Sequence, residues 1–246
     1  MKNKSEESKF LEGPQSRWKE LTFILKVLLE FIKSFRVFHF LGPCVTVFGS
    51  ARFGEDHPSY HMCRQMGKRL AELGFTIMTG GGPGIMEAAN RGAKDANGRS
   101  IGCNIILTHE QKQNAYLDYW VDIDYFFVRK VILSKYSYAF VVFPGGYGTM
   151  DEFFEAITLV QTNKIKRFPI VVFGKKYYEL LYAQLIIMKN ESAIGEKDLD
   201  LFLFTDHVEE AIAYISKFAI DQFDLRTKKK RWKPMMWLGE KLKFSQ

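Results

Sequence analysis

A chain of 246 residues fits one α/β domain with appendages, or at most two small domains. Its 47% hydrophobic content allows a sizeable core and its 26% charged content is ordinary for a globular protein, which excludes a disordered body. The net charge of +7 sits between Arg226 and Gln246, where eight basic residues stand against one acid, Glu240. The rest of the chain is formally neutral, which argues against a nucleic-acid enzyme with a basic folded face.

Residues 1–20 form a polar leader that mixes Lys and Glu and lacks the short apolar run of a secretory signal. Residues 21–41 predict an apolar helix. Thr22, Lys26, Glu30 and Lys33 recur every three or four positions and place one polar stripe on an otherwise apolar cylinder. The 18 residues from Leu21 to Phe38 span about 27 Å, close to a bilayer core of roughly 30 Å. Lys26, Glu30, Lys33 and Arg36 make full insertion costly. A helix packed on the body or on a partner is the leading expectation, with an interfacial membrane helix and a true span as alternatives.

From Cys44 onward, short apolar runs alternate with helical patterns. Strands are predicted at 44–48, 75–79, 100–106, 121–126, 139–143 and 170–173, with a weak one at 201–204. Helices are predicted near 58–73, 84–97, 128–138, 149–163, 176–190 and 206–219, and segment 107–120 stays undecided. Runs with little polar alternation mark strands buried on both faces, as in a parallel sheet. Strand–helix alternation then gives right-handed crossovers and a Rossmann-like, doubly wound parallel sheet. This single α/β domain is expected to cover 42–222, with a basic tail at 223–246. Cys44, Cys63 and Cys103 are odd in number and widely spaced, and read as reduced core residues of a cytoplasmic protein.

Glycines cluster where predicted strands end. Gly49–Ser50 follows the first strand, GGGPG at 80–84 the second, and PGGYG at 144–148 the fifth. Ligands of open parallel sheets bind at that edge. Glycine admits positive φ and close backbone approach, and a helix start adds free N–H donors and partial positive charge. Gly82 to Gly84, leading into one predicted helix, and Gly146 to Thr149, leading into another, are therefore candidate anion-binding residues. Thr149 could instead cap its helix. One such loop would read as a mere tight turn; two on one edge point to a ligand. No GxGxxG spacing and no GK[ST] appear, so dinucleotides and ATP fit poorly and a single phosphate fits well.

PGGYGTMDE at Pro144–Glu152 matches the PGGxGTxxE motif of the LOG family, the cytokinin riboside 5′-monophosphate phosphoribohydrolases, whose members are often labelled lysine decarboxylases. GSAR at 49–52, GGGPGIMEAANRGA at 80–93 and the Arg129–Lys130 pair extend the resemblance over about residues 42–190. The wording of the second loop resembles the longer bacterial subgroup. The resemblance implies hydrolysis of the N-glycosidic bond of AMP or N6-substituted AMP to free base and ribose 5-phosphate, with no cofactor. It also implies a homodimer or higher homo-oligomer with the pocket near the subunit interface. By position Arg129 and Glu152 match the catalytic pair, and Gly145, Gly146, Gly148 and Thr149 match the phosphate loop. Gly49, Ser50, Gly81, Gly82, Gly84, Glu87 and Lys130 complete the expected substrate-binding set.

The residue chemistry agrees with that implication. Glycosidic cleavage passes through an oxocarbenium-like state that a nearby carboxylate stabilises, or for which it positions water. Glu152 is expected in the first turn after the PGG loop. A guanidinium keeps its proton, so Arg129 is assigned to orienting Glu152 or to stabilising charge on the departing base. Asp151 reads as a helix-start acid, and His57 and His61 lack a third metal ligand and read as surface or capping residues. Lysine decarboxylation would need pyridoxal phosphate on a desolvated lysine, and nothing marks Lys130 or Lys135 as one. Two alternatives remain: a nucleosidase of broader base range, and a carrier that binds without catalysis. The tail TKKKRWKPMMWLGEKLKF reads either as a surface extension or as a peripheral contact with an anionic membrane or a partner.

Overall fold

The computed structural model describes residues 6–106 and 112–220. The elements run α1 (Glu6–Phe10), α2 (Arg17–Phe38), β1 (Cys44–Phe48), α3 (Pro58–Glu72), β2 (Thr76–Thr79), α4 (Ile85–Asp95), β3 (Ser100–Ile105) and β4 (Tyr119–Ile123). They continue with α5 (Phe126–Tyr136), β5 (Ser137–Val142), α6 (Tyr147–Gln161), β6 (Ile170–Phe173), α7 (Glu179–Asn190), a 3₁₀ turn at Glu196–Leu201, β7 (Leu203–Thr205) and α8 (Val208–Ile215), whose end widens into a π turn at Ser216–Ile220. All seven expected strands form.

The strands make one sheet in the order β4-β3-β2-β1-β5-β6-β7, and every neighbouring pair is parallel. The expected Rossmann-like, doubly wound sheet is therefore observed. Period-two alternation feeds both faces, because alternate residues of a strand point to opposite sides. In β1, Cys44 and Phe48 join a core with residues of α5, α6 and α7. Val45 and Val47 join a second core with residues of α3, α4 and α8. Burial on both sides explains why these strands read as unbroken apolar runs.

The sequence turns away from β1 in opposite directions at two places. Strands β2 to β4 are laid down on one side of β1, while β5 to β7 fill the other. The seam between β1 and β5 is thus the topological switch point, where the loops leaving the two strands diverge and open a crevice. Helix α4, which leaves the second glycine loop, packs on α3 with backbone nearly touching backbone. A Cβ on Gly92 would stand 2.0 Å from the Arg64 carbonyl oxygen, and one on Gly67 2.3 Å from that of Ala89.

Several boundaries differ from the expectation. The apolar helix starts at Arg17 inside the polar leader, which also holds α1. Of its polar stripe Glu30 is buried, whereas Leu25 and Leu29 on the apolar surface are 51% and 65% exposed. Phe23, Val27, Phe31 and Val37 pack on the core beside α5. Strand β4 lies two residues earlier than predicted at its start, and Phe126, read as its last residue, instead begins α5. Among the described residues no helix is long and apolar enough to cross a membrane. The basic tail lies outside the described residues.

Candidate active site

The Gly49–Ser50 turn occupies the switch point and holds both glycine loops by its main chain. The Ser50 N–H donates to the Pro144 carbonyl at 3.0 Å, and the Ser50 carbonyl accepts from the Ile85 N–H, also at 3.0 Å. One peptide segment therefore ties the start of α4 to the PGG loop. No side chain could fit between them: a Cβ on Gly84 would lie 2.5 Å from the Ser50 carbonyl oxygen, and one on Gly145 3.0 Å from the Ser50 nitrogen. The two loops read from the sequence as neighbours are neighbours.

The PGG loop is held from behind and open in front. Tyr177 donates its hydroxyl to the Gly145 carbonyl at 3.0 Å, and buried Tyr178 donates to the Phe143 carbonyl at 2.9 Å. Neither tyrosine was marked by the sequence, because both lie some 30 residues downstream, beyond β6. On the outer side, a Cβ at Gly146 or Gly148 would meet no atom within 4 Å. Helix α6 starts here, with Gly146 as its N-cap residue. Its first amides have no carbonyl a turn earlier to bond, so they present donors to the open space. Thr149 is the third helical residue rather than the cap, correcting the expected start at 149. It is buried, and its hydroxyl lies 2.2 Å from where a Cβ of Gly145 would stand.

The GGG loop is closed by packing. Gly81 and Gly82 are buried. Gly81 has φ +77°, and a Cβ there would stand 2.2 Å from the Trp120 ring. Asn114, buried in the segment left undecided above, donates its Nδ2 to the carbonyls of Gly81 and Gly82 and to Asn90 Oδ1. Its backbone N–H also donates to Gly81 O at 3.0 Å. The Thr79 hydroxyl donates to Asn90 and accepts from the Gly81 N–H. This network shapes the loop; Asn90 lies within the GGGPGIMEAANRGA motif, whereas nothing local announced Asn114.

Two helices bring the ionisable groups together. Arg129, in the first turn of α5, donates its Nε to the Cys103 carbonyl at 3.2 Å. A Cβ on Gly80 would lie 3.0 Å from one of its terminal nitrogens, so the guanidinium rests against the base of the GGG loop. Glu152 belongs to the second turn of α6, not the first, because the helix begins at Tyr147. It is only 5% exposed. Burial pushes its carboxyl up to about 7, against the downward pull of Arg129 and Lys130, while Glu155 and Asp151 add to the rise. Cys103, whose carbonyl takes the Arg129 bond, is buried and pushed up to about 12 by desolvation, which keeps its thiol neutral.

The remaining expected residues fall around this centre. Lys130 pairs with Asp151 at 2.8 Å and Glu155 at 2.9 Å, joining α5 to α6. Glu87 accepts from the Tyr60 hydroxyl at 2.9 Å. Arg91 bonds the same tyrosine, pairs with Glu55 at 2.8 Å and covers the Tyr116 ring. His57 caps α3, its Nδ1 accepting from the Ser59 N–H at 3.1 Å, and His61 is exposed. The three cysteines are free and buried. Among the described residues no cluster of three or more His, Cys, Asp or Glu is placed to hold a metal.

Known proteins share this arrangement of sequence and fold. An uncharacterized protein of Archaeoglobus fulgidus is 30% identical over half of this chain and 81% of its own length. The cytokinin riboside 5′-monophosphate phosphoribohydrolase of Mycobacterium tuberculosis is 26% identical over 61% of this chain and 82% of its own. Among solved structures, the Moco carrier protein of Chlamydomonas reinhardtii shares the fold with a TM-score of 0.53 and 24% identity, over 73% of this chain and 98% of that one. The family described as "Possible lysine decarboxylase" matches residues 86–215, which hold Arg129, the PGG loop and Glu152. The chain belongs to this family, the LOG family.

Proposed function

We propose that the protein hydrolyses the N-glycosidic bond of a nucleoside 5′-monophosphate, AMP or an N6-substituted AMP, to free base and ribose 5-phosphate. The observation that carries this reading is a buried carboxylate, Glu152, set one and a half helical turns behind an open glycine loop and near enough to Arg129 for that charge to pull against the rise of its pKa. The phosphate would bind the amides of Gly146, Tyr147 and Gly148, where the partial positive charge at the start of α6 favours a dianion. That grip would bring the anomeric carbon toward Glu152.

Glu152 then acts as a carboxylate. As the bond to the base lengthens, positive charge spreads over the ring oxygen and anomeric carbon, and a desolvated carboxylate stabilises it far better than water would. The same group accepts a proton from the incoming water as the new C–O bond forms. Arg129 stabilises the electron pair that leaves with the base and keeps part of the Glu152 population ionised. With a carboxyl at about 7, activity rises with pH through neutrality. The names of the curated relatives support this reading, and the Moco carrier suggests the alternative of binding without turnover.

Chromatography after incubation with AMP and with isopentenyl-AMP separates the two. The expected result is release of adenine or the substituted base, falling about a thousandfold in Glu152→Gln, within the range of a lost acid–base group. Tight AMP binding by the parent protein with no free base would replace hydrolysis with a carrier role.

A further inference from the structure

Helix α5, which carries Arg129 and Lys130, does not cap itself. Its N-cap residue, Tyr125, makes no side-chain capping bond, and its first turn holds no acid. The first amides of a helix need acceptors, and Asp, Asn, Ser or Thr at the cap usually supplies them. Here the acceptors come from roughly a hundred residues earlier. Glu30 of α2 accepts from the Asp124 N–H at 2.6 Å and also bonds the Tyr125 N–H. Glu7 of α1 accepts from the Phe126 N–H, its two oxygens at 3.2 and 3.3 Å. Three consecutive amides at the entry of α5 are thus held by two acids of the N-terminal segment.

The same segment lies along α5 for its whole length. Phe23 meets Tyr125 edge-on at 5.1 Å and approaches Phe127. At the other end, Phe38 stacks on Tyr136 at 5.5 Å. Lys33 reaches the Asp122 carbonyl at the end of β4. Burying Glu30 opposes its ionisation and raises its pKa, and the backbone amides it bonds work against that rise. Arg129 is the fourth residue of α5, and its N–H closes the first helical bond onto the Tyr125 carbonyl at 3.1 Å. That carbonyl belongs to the peptide whose Phe126 N–H Glu7 holds, and Glu30 anchors the peptide chain just before it, so the two acids together fix the base on which the turn bearing Arg129 is built. Residues 6–38 lie outside the segment matched by the family.

We propose that Glu30, assisted by Glu7, is a positioning residue: it fixes the first turn of α5 and through it the Arg129 guanidinium against Cys103 and the GGG loop. The N-terminal segment is then a working part of the site although it touches no substrate. This rests on the assignment of Arg129 to the reaction.

The test uses the full chain with Glu30→Ala, Glu30→Gln and Glu7→Ala, read by AMP hydrolysis and by hydrogen exchange. Loss of a helix cap corresponds to about a tenfold effect. Glu30→Ala should therefore lower kcat by that order while KM stays within about twofold, because the phosphate loop is untouched. Glu30→Gln, which keeps one acceptor oxygen, should recover most of the loss, and Glu7→Ala should show a smaller one. Amides 129 and 130, the first bonded within α5, should exchange about tenfold faster in Glu30→Ala while those of α6 do not change, the mark of a local opening. Unchanged kcat in both alanine variants, or equal acceleration in α6, would overturn the proposal. If the parent protein releases no base, the hydrolytic reading fails alone, and exchange at 129 and 130 still decides the positioning role. If Glu30→Ala does not fold, Glu30→Gln and Glu7→Ala carry both readouts.

Discussion

The two glycine loops look interchangeable as text and are opposites as objects. In GGGPG, Gly81 is filled against Trp120 and Gly84 against Ser50 and Ala51, and Asn114 fastens the carbonyls of Gly81 and Gly82. In PGGYG, Gly145 is filled by Thr149 and Ser50, whereas Gly146 and Gly148 border empty space. A glycine in the first loop is there because a neighbour already occupies the place of its side chain. One at the tip of the second leaves room for something that arrives. The lesson is that glycine content marks a special backbone without saying whether packing or a ligand made it necessary.

That contrast can be broken by substitution. The largest stability effect is expected from Gly81→Ala, which adds a methyl 2.2 Å from Trp120 at a φ of +77°. Overpacking and the left-handed backbone together should cost about 4 kcal/mol, seen as a lower urea midpoint.

Next comes a change of opposite sign beneath the open loop. The Glu152 carboxyl is raised from 4.5 to about 7, so both folded and unfolded chains hold the proton below the lower value and neither is favoured. Between the two values only the folded chain keeps it, and stability falls as pH rises; above the higher value the full cost of the buried charge is present. Glu152→Gln removes that cost. It should stabilise the protein by about 3 kcal/mol at pH 8 and by nothing near pH 4. Urea titrations at the two pH values measure the difference, and an equal effect at both would show that the carboxyl is not desolvated.

The smallest stability effect belongs to Gly146→Ala, at ~0.5 kcal/mol or less because the new methyl meets nothing. Its consequence should appear in binding: AMP affinity measured by calorimetry should fall about tenfold if phosphate sits where that methyl points. Full affinity would remove the phosphate from this loop.

Much of the architecture was legible because it rests on local pattern. Strands buried on both faces must be apolar throughout, so β1, β3 and β6 stood out to within a residue. The Arg129–Glu152 pair came from the family resemblance carried by the PGG motif, and the structure sets the two residues on helices joined by the Lys130 ion pairs. What escaped depends on contacts between distant segments. Phe126 looks like a strand residue, and only acceptors from Glu7 and Glu30 show why a helix begins there. Asn114 serves a loop more than 30 residues away, in a stretch with no periodicity. The stripe on α2 showed where its polar side chains lie without showing what they meet, and only the amides at the entry of α5 explain why Glu30 is buried.

The tie at Ser50 has a consequence for what variation the site can bear. Its two bonds belong to the peptide, not to the hydroxyl, so most replacements at this position would leave both loops joined. Proline is different: it has no N–H to offer Pro144, and it alone would sever one loop while leaving the other attached. The side chain at position 50 shapes the turn, its hydroxyl accepting from the Arg52 N–H at 3.1 Å, but the union of the two loops answers to backbone chemistry alone.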